Sequence, residues 1–207
     1  MLKVGLTGSI AVGKSFVLGI LSELGCRVLD ADATAREVVA PGSAGLQLVV
    51  DAFGHEVLRQ NGTLDRATLG GIVFSNDEKR QLLNSILHPL IIATQDDQIR
   101  KWQCEDPHGI AVIDAALMIE SGGYKRFDKL IVVYCDRETQ IDRLMKRNQI
   151  AREDAERRLA AQMTSEEKLR YADYRVSTDG TFEATRQRVI EVFNQLSQSK
   201  QARKRTE

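Results

Sequence analysis

The chain has 207 residues, of which 43% are hydrophobic and 28% are charged, and its 29 basic side chains balance 29 acidic ones. Such a composition is typical of one globular domain with a sizeable core and room for a small appended subdomain. The zero formal charge argues against a nucleic-acid-binding protein, and no apolar run approaches the roughly eighteen residues of a membrane span. We therefore expect a protein that binds neither nucleic acid nor membrane and that carries no signal peptide. Its three cysteines have no C-x-x-C spacing and favour a reducing cytoplasm, and we expect a monomer, with weak self-association as the alternative.

The first predicted elements are a strand, a glycine-containing loop and a helix. Leu2 to Thr7 is an apolar segment of strand type, and Phe16 to Leu24 carries apolar residues at helical spacing. Between them, residues 8–15 read Gly-Ser-Ile-Ala-Val-Gly-Lys-Ser, which is the spacing G-x-x-x-x-G-K-[ST]. In this strand-to-helix context the pattern predicts a phosphate-binding P-loop.

Each fixed position of the loop has a chemical role at a triphosphate. Gly8 and Gly13 have no Cβ that would obstruct the inward-pointing backbone N–H groups. Lys14 is expected to reach the β- and γ-phosphates, and the Ser15 hydroxyl is expected to bind Mg²⁺. The other predicted nucleotide contacts are Ser9, Ile10, Ala11, Val12 and Phe16. The loop therefore predicts a nucleoside triphosphate with magnesium.

Four further segments are predicted strands. They are Arg27 to Leu29, Ile110 to Ile113, Lys129 to Cys135 and a weaker one at Tyr174 to Ser177. Helical stretches separate them, which is the alternation of an α/β fold with a parallel sheet. Ligands of such sheets bind beyond the carboxyl ends of the strands. The side chains at those ends are Asp30, Asp32, Asp114, Asp136 and Arg137.

A long helical segment follows the second strand. Roughly eighty residues separate the second and third strands, whereas a simple crossover needs about a dozen. The segment includes a helix from Asn76 to Gln103 with an Asn cap, which Pro89 should kink or break after Leu87. We interpret residues 33–107 as an acceptor-binding helical insertion, with a purely structural insertion as the alternative.

Residues 137–171 form a second helical segment, which is strongly charged. Arg143 and Arg147 are four residues apart and so share a helix face. On a P-loop protein such a face suits a lid that closes over triphosphate charge, with a solvated salt-bridge helix as the alternative. The core is then 1–32, 108–136 and 172–196, and the polar tail 197–207 is expected to fray.

These motifs favour a small kinase over other P-loop proteins. A regulatory GTPase needs an Asn-Lys-x-Asp sequence, which the chain lacks. A large motor ATPase or transporter subunit needs more chain and an acid after a strongly apolar strand, which Ile110 to Asp114 could imitate. We predict an α/β, three-layer P-loop NTPase fold with a five-stranded parallel sheet, the helical acceptor-binding insertion and the helical lid.

Several motifs beyond the loop resemble the dephospho-coenzyme A kinase family. They are Asp30-Ala31-Asp32, Ala35 to Val39, Pro41-Gly42, Phe53-Gly54, Asn61 to Arg66, Ile72 to Phe74, Leu87-His88-Pro89, Leu117 to Glu120, Arg143 with Arg147, Ala161 to Met163, and Lys168 with Ala172-Asp173. The resemblance extends over nearly the whole chain. It implies a kinase that uses ATP and Mg²⁺ to phosphorylate the ribose 3′-hydroxyl of dephospho-coenzyme A, the last step of coenzyme A synthesis.

The resemblance also implies roles for individual residues. Asp32 matches the general base, which is chemically reasonable because a carboxylate can accept the proton of a poorly nucleophilic sugar hydroxyl. The other implied catalytic residues are Lys14 and Arg143. The implied substrate-binding residues are Asp30, Asp32, Arg66, His88, Leu117 and Glu120. The alternative for Asp32 is a helix cap, and the alternative for His88 is a structural role before a proline.

The chain departs from the family pattern at a few positions, and other functions stay open. Ser9 and Ala11 replace glycines of the family's loop, Ala116 replaces a proline, and Ser177-Thr178 replaces an Asp-Asn pair near the adenine. One alternative is a nucleoside or nucleoside monophosphate kinase on the same scaffold. The other is a nucleotide-dependent binding or regulatory protein with little turnover.

Overall fold

Five short strands that alternate with helices form one parallel sheet. The computed structural model describes residues 1–74 and 76–203. The strands are β1 (Leu2–Thr7), β2 (Arg27–Asp30), β3 (Ile110–Asp114), β4 (Lys129–Tyr134) and β5 (Tyr174–Ser177). Their order in the sheet is β2-β3-β1-β4-β5. All five predicted strands are confirmed, with each end within one residue of its predicted position.

The two faces of the sheet pack against different helices, because successive side chains of a strand point to opposite faces. Ile131 and Val133 of β4 belong to the main core cluster, which also contains buried residues of the first and last helices. Leu130 and Val132 belong to a second cluster with Met118 and Ile119 of the turns after β3, and Leu169 of the helix Ser165–Leu169 packs against this cluster. Helical residues therefore pack on both faces of the sheet, in agreement with a three-layer α/β fold.

The described part of the chain contains nine α-helices. They are α1 (Lys14–Glu23), α2 (Ala31–Glu37), α3 (Ala44–Phe53), α4 (Arg66–Phe74), α5 (Asp77–Glu105), α6 (Arg137–Asn148), α7 (Arg152–Ala160), α8 (Ser165–Leu169) and α9 (Phe182–Arg203). None of the helices in residues 1–74 and 76–203 combines the length and the apolarity that a bilayer crossing needs. α9 continues into the segment predicted to fray, of which residues 204–207 lie outside the described residues.

The chain divides into two compact units. One unit comprises Met1–Leu29 and the chain from Trp102 onward, and the other is the helical segment Asp30–Lys101. The helical unit has its own buried core, formed by Val39, Leu46, Val49, Val50, Phe53, Val57, Leu64 and Leu69. A segment with its own core can fold as a unit of its own. The acceptor-binding function of this segment stays a prediction.

Pro89 does not break the long helix of this segment, so that part of the prediction is wrong. α5 continues from Asp77 to Glu105 with Pro89 inside it. A proline in a helix interior costs about 3 kcal/mol because it removes one hydrogen bond and crowds the preceding turn. Ile86 and Leu87 pack against the core of the helical unit, and Ile99 is buried further along. Burial on both sides of Pro89 offsets that cost. The predicted asparagine cap is confirmed, since Asn76 Oδ1 accepts the N–H of Lys79 at 2.9 Å.

The end of α6 provides a stability test. Gln149 closes this helix in a left-handed conformation, with φ 54° and ψ 46°, and its N–H donates to the carbonyl of Met145. Side chains other than glycine are strained there because Cβ crowds the backbone. We expect Gln149→Gly to raise the free energy of unfolding by about 1 kcal/mol in denaturant titrations. Gln149→Ala also removes the side-chain atoms beyond Cβ but keeps Cβ itself. An equal rise in the free energy of unfolding from alanine would contradict this explanation.

Candidate active site

The predicted phosphate-binding loop connects β1 to α1 and has the backbone shape that its glycines suggest. Gly13 is left-handed, with φ 85°, and is the N-cap residue directly before α1. Ala11 is also left-handed, with φ 64°. Gly8 is required by close packing, because a Cβ there would lie 2.5 Å from the Val133 carbonyl oxygen of β4. The sequence predicted glycine for phosphate clearance, and the packing against β4 is a further reason.

The start of α1 is suited to an anion. The first turn of α1 contains no acidic residue, so its positive dipole end is not neutralised by a side chain of its own helix. Lys14 and Ser15 are its first two residues, and Ser15 is exposed. A helix N-terminus with a lysine and an exposed serine hydroxyl suits the phosphates of a nucleotide and an associated Mg²⁺ ion.

Lys14 forms an ion pair with an acid at the end of β3. Its Nζ lies 2.5 Å from Asp114 Oδ1, and the Asp114 side chain is 7% exposed. Leu6 of β1 is in register with Asp114, so the sheet itself brings the acid to the level where the loop begins. The sequence placed Asp114 at the carboxyl end of a strand, where ligands bind, but assigned it no catalytic or binding role. An acid after a strongly apolar strand is also the pattern of a motor ATPase or transporter subunit.

Ser9 and Ile10 of the loop form hydrogen bonds with the predicted lid segment, residues 137–171. Ser9 Oγ donates to the Met163 carbonyl at 2.7 Å, and the N–H of Ile10 donates to Gln162 Oε1 at 2.9 Å. Gln140 of α6 donates from Nε2 to the Ile10 carbonyl. Ser9 and Ile10 were predicted as nucleotide contacts, and in this structure they also join the loop to the lid segment.

The two predicted lid arginines have different surroundings. Arg143 is half-buried, and its guanidinium donates from one terminal nitrogen to Thr178 Oγ1 at 2.8 Å and from the other to the Thr178 carbonyl at 2.6 Å. Arg147 is exposed and donates to its neighbour Asn148 at 2.9 Å. Thr178 itself contacts the loop, because its Oγ1 donates to the Val12 carbonyl at 2.8 Å. The structure therefore connects Arg143 to the loop through Thr178, whereas Arg147 does not contact Thr178 in the hydrogen bonds described.

A buried lysine holds the segment that follows β3. Lys168 is 0% exposed, and its ammonium lies 2.8 Å from Glu120 and donates to the Ala116 carbonyl at 2.6 Å. Burial lowers the pKa of Lys168, and the Glu120 carboxylate opposes that shift. Glu120 also accepts the N–H of Met163 at 3.2 Å. Glu120, predicted to bind substrate, is thus engaged by protein groups, whereas Leu117 is 51% exposed.

Removing the buried ammonium should be costly. Lys168→Ala leaves the Glu120 carboxylate and the Ala116 carbonyl without a charged donor, so we expect a loss of ~2–4 kcal/mol in the free energy of unfolding. Lys125 is an exposed lysine shortly after Glu120, and Lys125→Ala should lie within about 0.5 kcal/mol of the parent. Equal unfolding free energies for both variants in urea titrations would show that the buried pair does not stabilise the fold.

In the helical unit, the structure assigns the helix cap to Asp30 and not to Asp32. Asp30 Oδ1 accepts the N–H of Asp32 at 2.8 Å and that of Ala33 at 3.4 Å. Asp32 is exposed and lies in the first turn of α2. The alternative reading of Asp32 as the cap residue is therefore wrong, and its carboxylate is not occupied by capping.

The other two predicted residues of this unit are exposed on its helices. Arg66 is the first residue of α4, next to Asp65, whose Oδ1 accepts the N–H of Ala67 at 3.0 Å. The backbone N–H of Thr68 also lowers the pKa of the Asp65 carboxyl. His88 is exposed on α5, directly before Pro89. Both side chains are accessible to a ligand.

Comparison with known proteins identifies the family. The family model described as CoaE, dephospho-CoA kinase, matches residues 2–184. The dephospho-CoA kinase of Geobacter metallireducens is 43% identical over 195 residues, which cover 94% of this chain and 96% of the relative. The crystal structure of TT1252 from Thermus thermophilus superimposes with a TM-score of 0.80 at 28% identity and covers 94% of this chain and 97% of that one. Dephospho-CoA kinase from Campylobacter jejuni gives a TM-score of 0.71 at 30% identity, covering 95% of this chain and 98% of that one. This chain belongs to the dephospho-CoA kinase family.

Proposed function

We propose that this chain transfers the γ-phosphoryl group of MgATP to the ribose 3′-hydroxyl of dephospho-CoA, with Asp32 as the base and Lys14 and Arg143 as charge-stabilising groups. Family membership makes the chain a kinase of the final step of coenzyme A biosynthesis. The match to the family over residues 2–184 is the observation that carries the function. The proposal adds the roles of individual residues and the magnesium ion.

The phosphate side of the reaction is supported by the loop and its lysine. In phosphoryl transfer the protein acts mainly by positioning and by stabilising charge on the transferred group. Lys14 now contacts Asp114, and a bound triphosphate would offer its ammonium β- and γ-phosphate oxygens in place of that carboxylate. When bound, Mg²⁺ would neutralise charge on the same oxygens, and Ser15 is the residue that would hold it.

The acceptor side is supported by the free carboxylate of Asp32. A general base needs a carboxylate oxygen that can reach the proton of the acceptor hydroxyl, and Asp30, not Asp32, uses its carboxylate to cap the helix. Arg66 and His88 are exposed donors that can bind anionic or polar groups of the acceptor. We propose that they bind dephospho-CoA together with Asp30, Leu117 and Glu120.

One substrate panel tests this function. The purified protein is incubated with MgATP, and ADP release is measured with dephospho-CoA, with nucleosides and with nucleoside monophosphates. We expect strong stimulation by dephospho-CoA alone, and the product should carry its new phosphate on the ribose 3′-oxygen in phosphorus NMR. Stimulation by a nucleoside or a nucleotide would identify the rival kinase, and no stimulation would identify a binding protein. Omission of Mg²⁺ should abolish turnover.

We expect Arg143 and Arg66 to bind different substrates. Arg143→Ala should lower kcat about tenfold or more while leaving the KM for dephospho-CoA near its parent value, because Arg143 is proposed to meet the triphosphate. Arg66→Ala should mainly raise the KM for dephospho-CoA, because it is proposed to bind the acceptor. Arg147 is exposed, so Arg147→Ala should have a smaller effect on kcat than Arg143→Ala. Matching kinetic profiles for Arg66→Ala and Arg143→Ala would refute this division.

We further propose that the enzyme functions as a cytoplasmic monomer. Its three cysteines, Cys26, Cys104 and Cys135, all lie in the described part of the chain and form no disulfide bond there, which suits a reducing compartment. Sedimentation of the purified protein at increasing concentrations tests the monomer, and a species of twice the monomer mass would contradict it.

A further inference from the structure

We propose that Thr178 is a positioning residue that holds the guanidinium of Arg143 against the phosphate-binding loop. The inference rests on the proposed function, in which Arg143 acts on the triphosphate. It adds that Arg143 can do so only while the Thr178 side chain fixes its position.

The backbone of Thr178 is fixed by the sheet. Thr178 directly follows β5, and its N–H donates to the Tyr134 carbonyl at the end of β4 at 3.0 Å. The residue is 5% exposed. Its methyl group lies against the loop, because a Cβ on Gly13 would lie 3.4 Å from Thr178 Cγ2. Neighbours on two sides therefore restrict the rotamer of Thr178, and its hydroxyl has a defined direction.

The hydroxyl joins the loop to the arginine. Thr178 Oγ1 donates to the Val12 carbonyl at 2.8 Å and accepts from Arg143 at 2.8 Å. A hydroxyl has one donor hydrogen and two acceptor lone pairs, so both contacts are satisfied at once. Val12 immediately precedes Gly13 and Lys14, so the hydroxyl contacts the loop beside its lysine.

The arginine is held at two points. Its two terminal nitrogens donate to the hydroxyl and to the carbonyl of the same threonine, at 2.8 Å and 2.6 Å. Two contacts to one rigid residue fix the plane of the guanidinium as well as its place. These contacts use two of the five guanidinium N–H donors, and the others are available for phosphate oxygens. With its hydroxyl replaced by a methyl group, residue 178 keeps only the carbonyl contact, and the guanidinium can turn.

A double-mutant cycle tests whether Thr178 acts through Arg143. Thr178→Val keeps the shape of the side chain and removes the hydroxyl. We expect it to lower kcat about tenfold with Arg143 present and less than twofold in an Arg143→Ala background, with the KM for dephospho-CoA unchanged. Thr178→Ser retains the hydroxyl and should recover kcat to within about threefold of the parent. Thr185→Val alters another buried threonine, on α9, and should leave both constants unchanged.

The outcomes separate this inference from the proposed function. Equal loss of kcat from Thr178→Val in both backgrounds, or a serine variant as slow as the valine variant, would show a purely structural role and overturn the inference. The dissociation constant of MgATP is measured for the same four proteins of the cycle. Thr178→Val should weaken MgATP binding only when Arg143 is present. If dephospho-CoA fails to stimulate turnover, the proposed acceptor is wrong, and the MgATP cycle still decides whether Thr178 positions Arg143.

Discussion

Asp32→Asn should lower kcat by roughly 10²–10⁴ while leaving the binding of both substrates nearly unchanged. A carboxylate that accepts the proton of the acceptor hydroxyl is needed in the transition state, and an amide of the same shape cannot accept that proton. The loss should lie at the lower end of this range if the transition state is loose, because proton removal then contributes less than positioning. Single-turnover kinetics measures the rate of phosphoryl transfer, and equilibrium binding measures the affinities for MgATP and dephospho-CoA.

The structure makes this substitution easier to interpret. Asp30 caps α2, so Asp32→Asn leaves the cap intact and should change stability by only a few tenths of a kcal/mol. Glu37→Gln neutralises an exposed carboxylate at the other end of α2 and is the matched control, with kcat expected at the parent value. An Asp32→Asn enzyme within about threefold of the parent kcat would remove Asp32 from the base role.

The fold was predictable because its signals are local. The three central strands β1, β3 and β4 are mostly apolar, and β3 is buried at every position, as expected for the interior of a parallel sheet. The glycine loop follows β1 directly, so strand, loop and helix could be placed from neighbouring residues. Pro89 shows where local reasoning fails, since the burial of residues on both sides of it decides that α5 continues.

The site was predictable only in part, because its contacts join residues far apart in the chain. Lys14 and Asp114 are separated by 100 residues, and Arg143 and Thr178 by 35. The sequence singled out Lys14 and Arg143 from motifs and placed Asp114 at a strand end, but it did not indicate which residues they contact, since an aspartate or a threonine at a strand end has many possible roles. Thr178 was noted as a departure from the family pattern, and only the three-dimensional packing shows that its hydroxyl contacts both the loop and the arginine.

Lys14→Ala should lower kcat by a factor on the order of 10² or more, because the ammonium stabilises charge that develops on the transferred phosphoryl group. Binding of MgATP should also weaken, since the same ammonium contacts the β- and γ-phosphates before transfer. The KM for dephospho-CoA should change little, because Lys14 is proposed to contact the nucleotide alone. Steady-state kinetics with each substrate varied in turn, together with calorimetric titration of MgATP, measure these effects.

The ion pair with Asp114 requires a stability control for this variant. Lys14→Ala takes the ammonium away from a carboxylate that is 7% exposed, so part of any loss of activity could come from partial unfolding. Lys129→Ala provides the comparison, because Lys129 pairs with Asp173 at 2.8 Å but lies at the first residue of β4, at the amino end of the strand. We expect Lys129→Ala to retain the parent kcat and to lose at most about 1 kcal/mol of stability. A Lys14→Ala protein that melts cooperatively, binds MgATP weakly and turns over slowly supports the phosphate role, whereas near-parental turnover would show that the loop does not act as a P-loop.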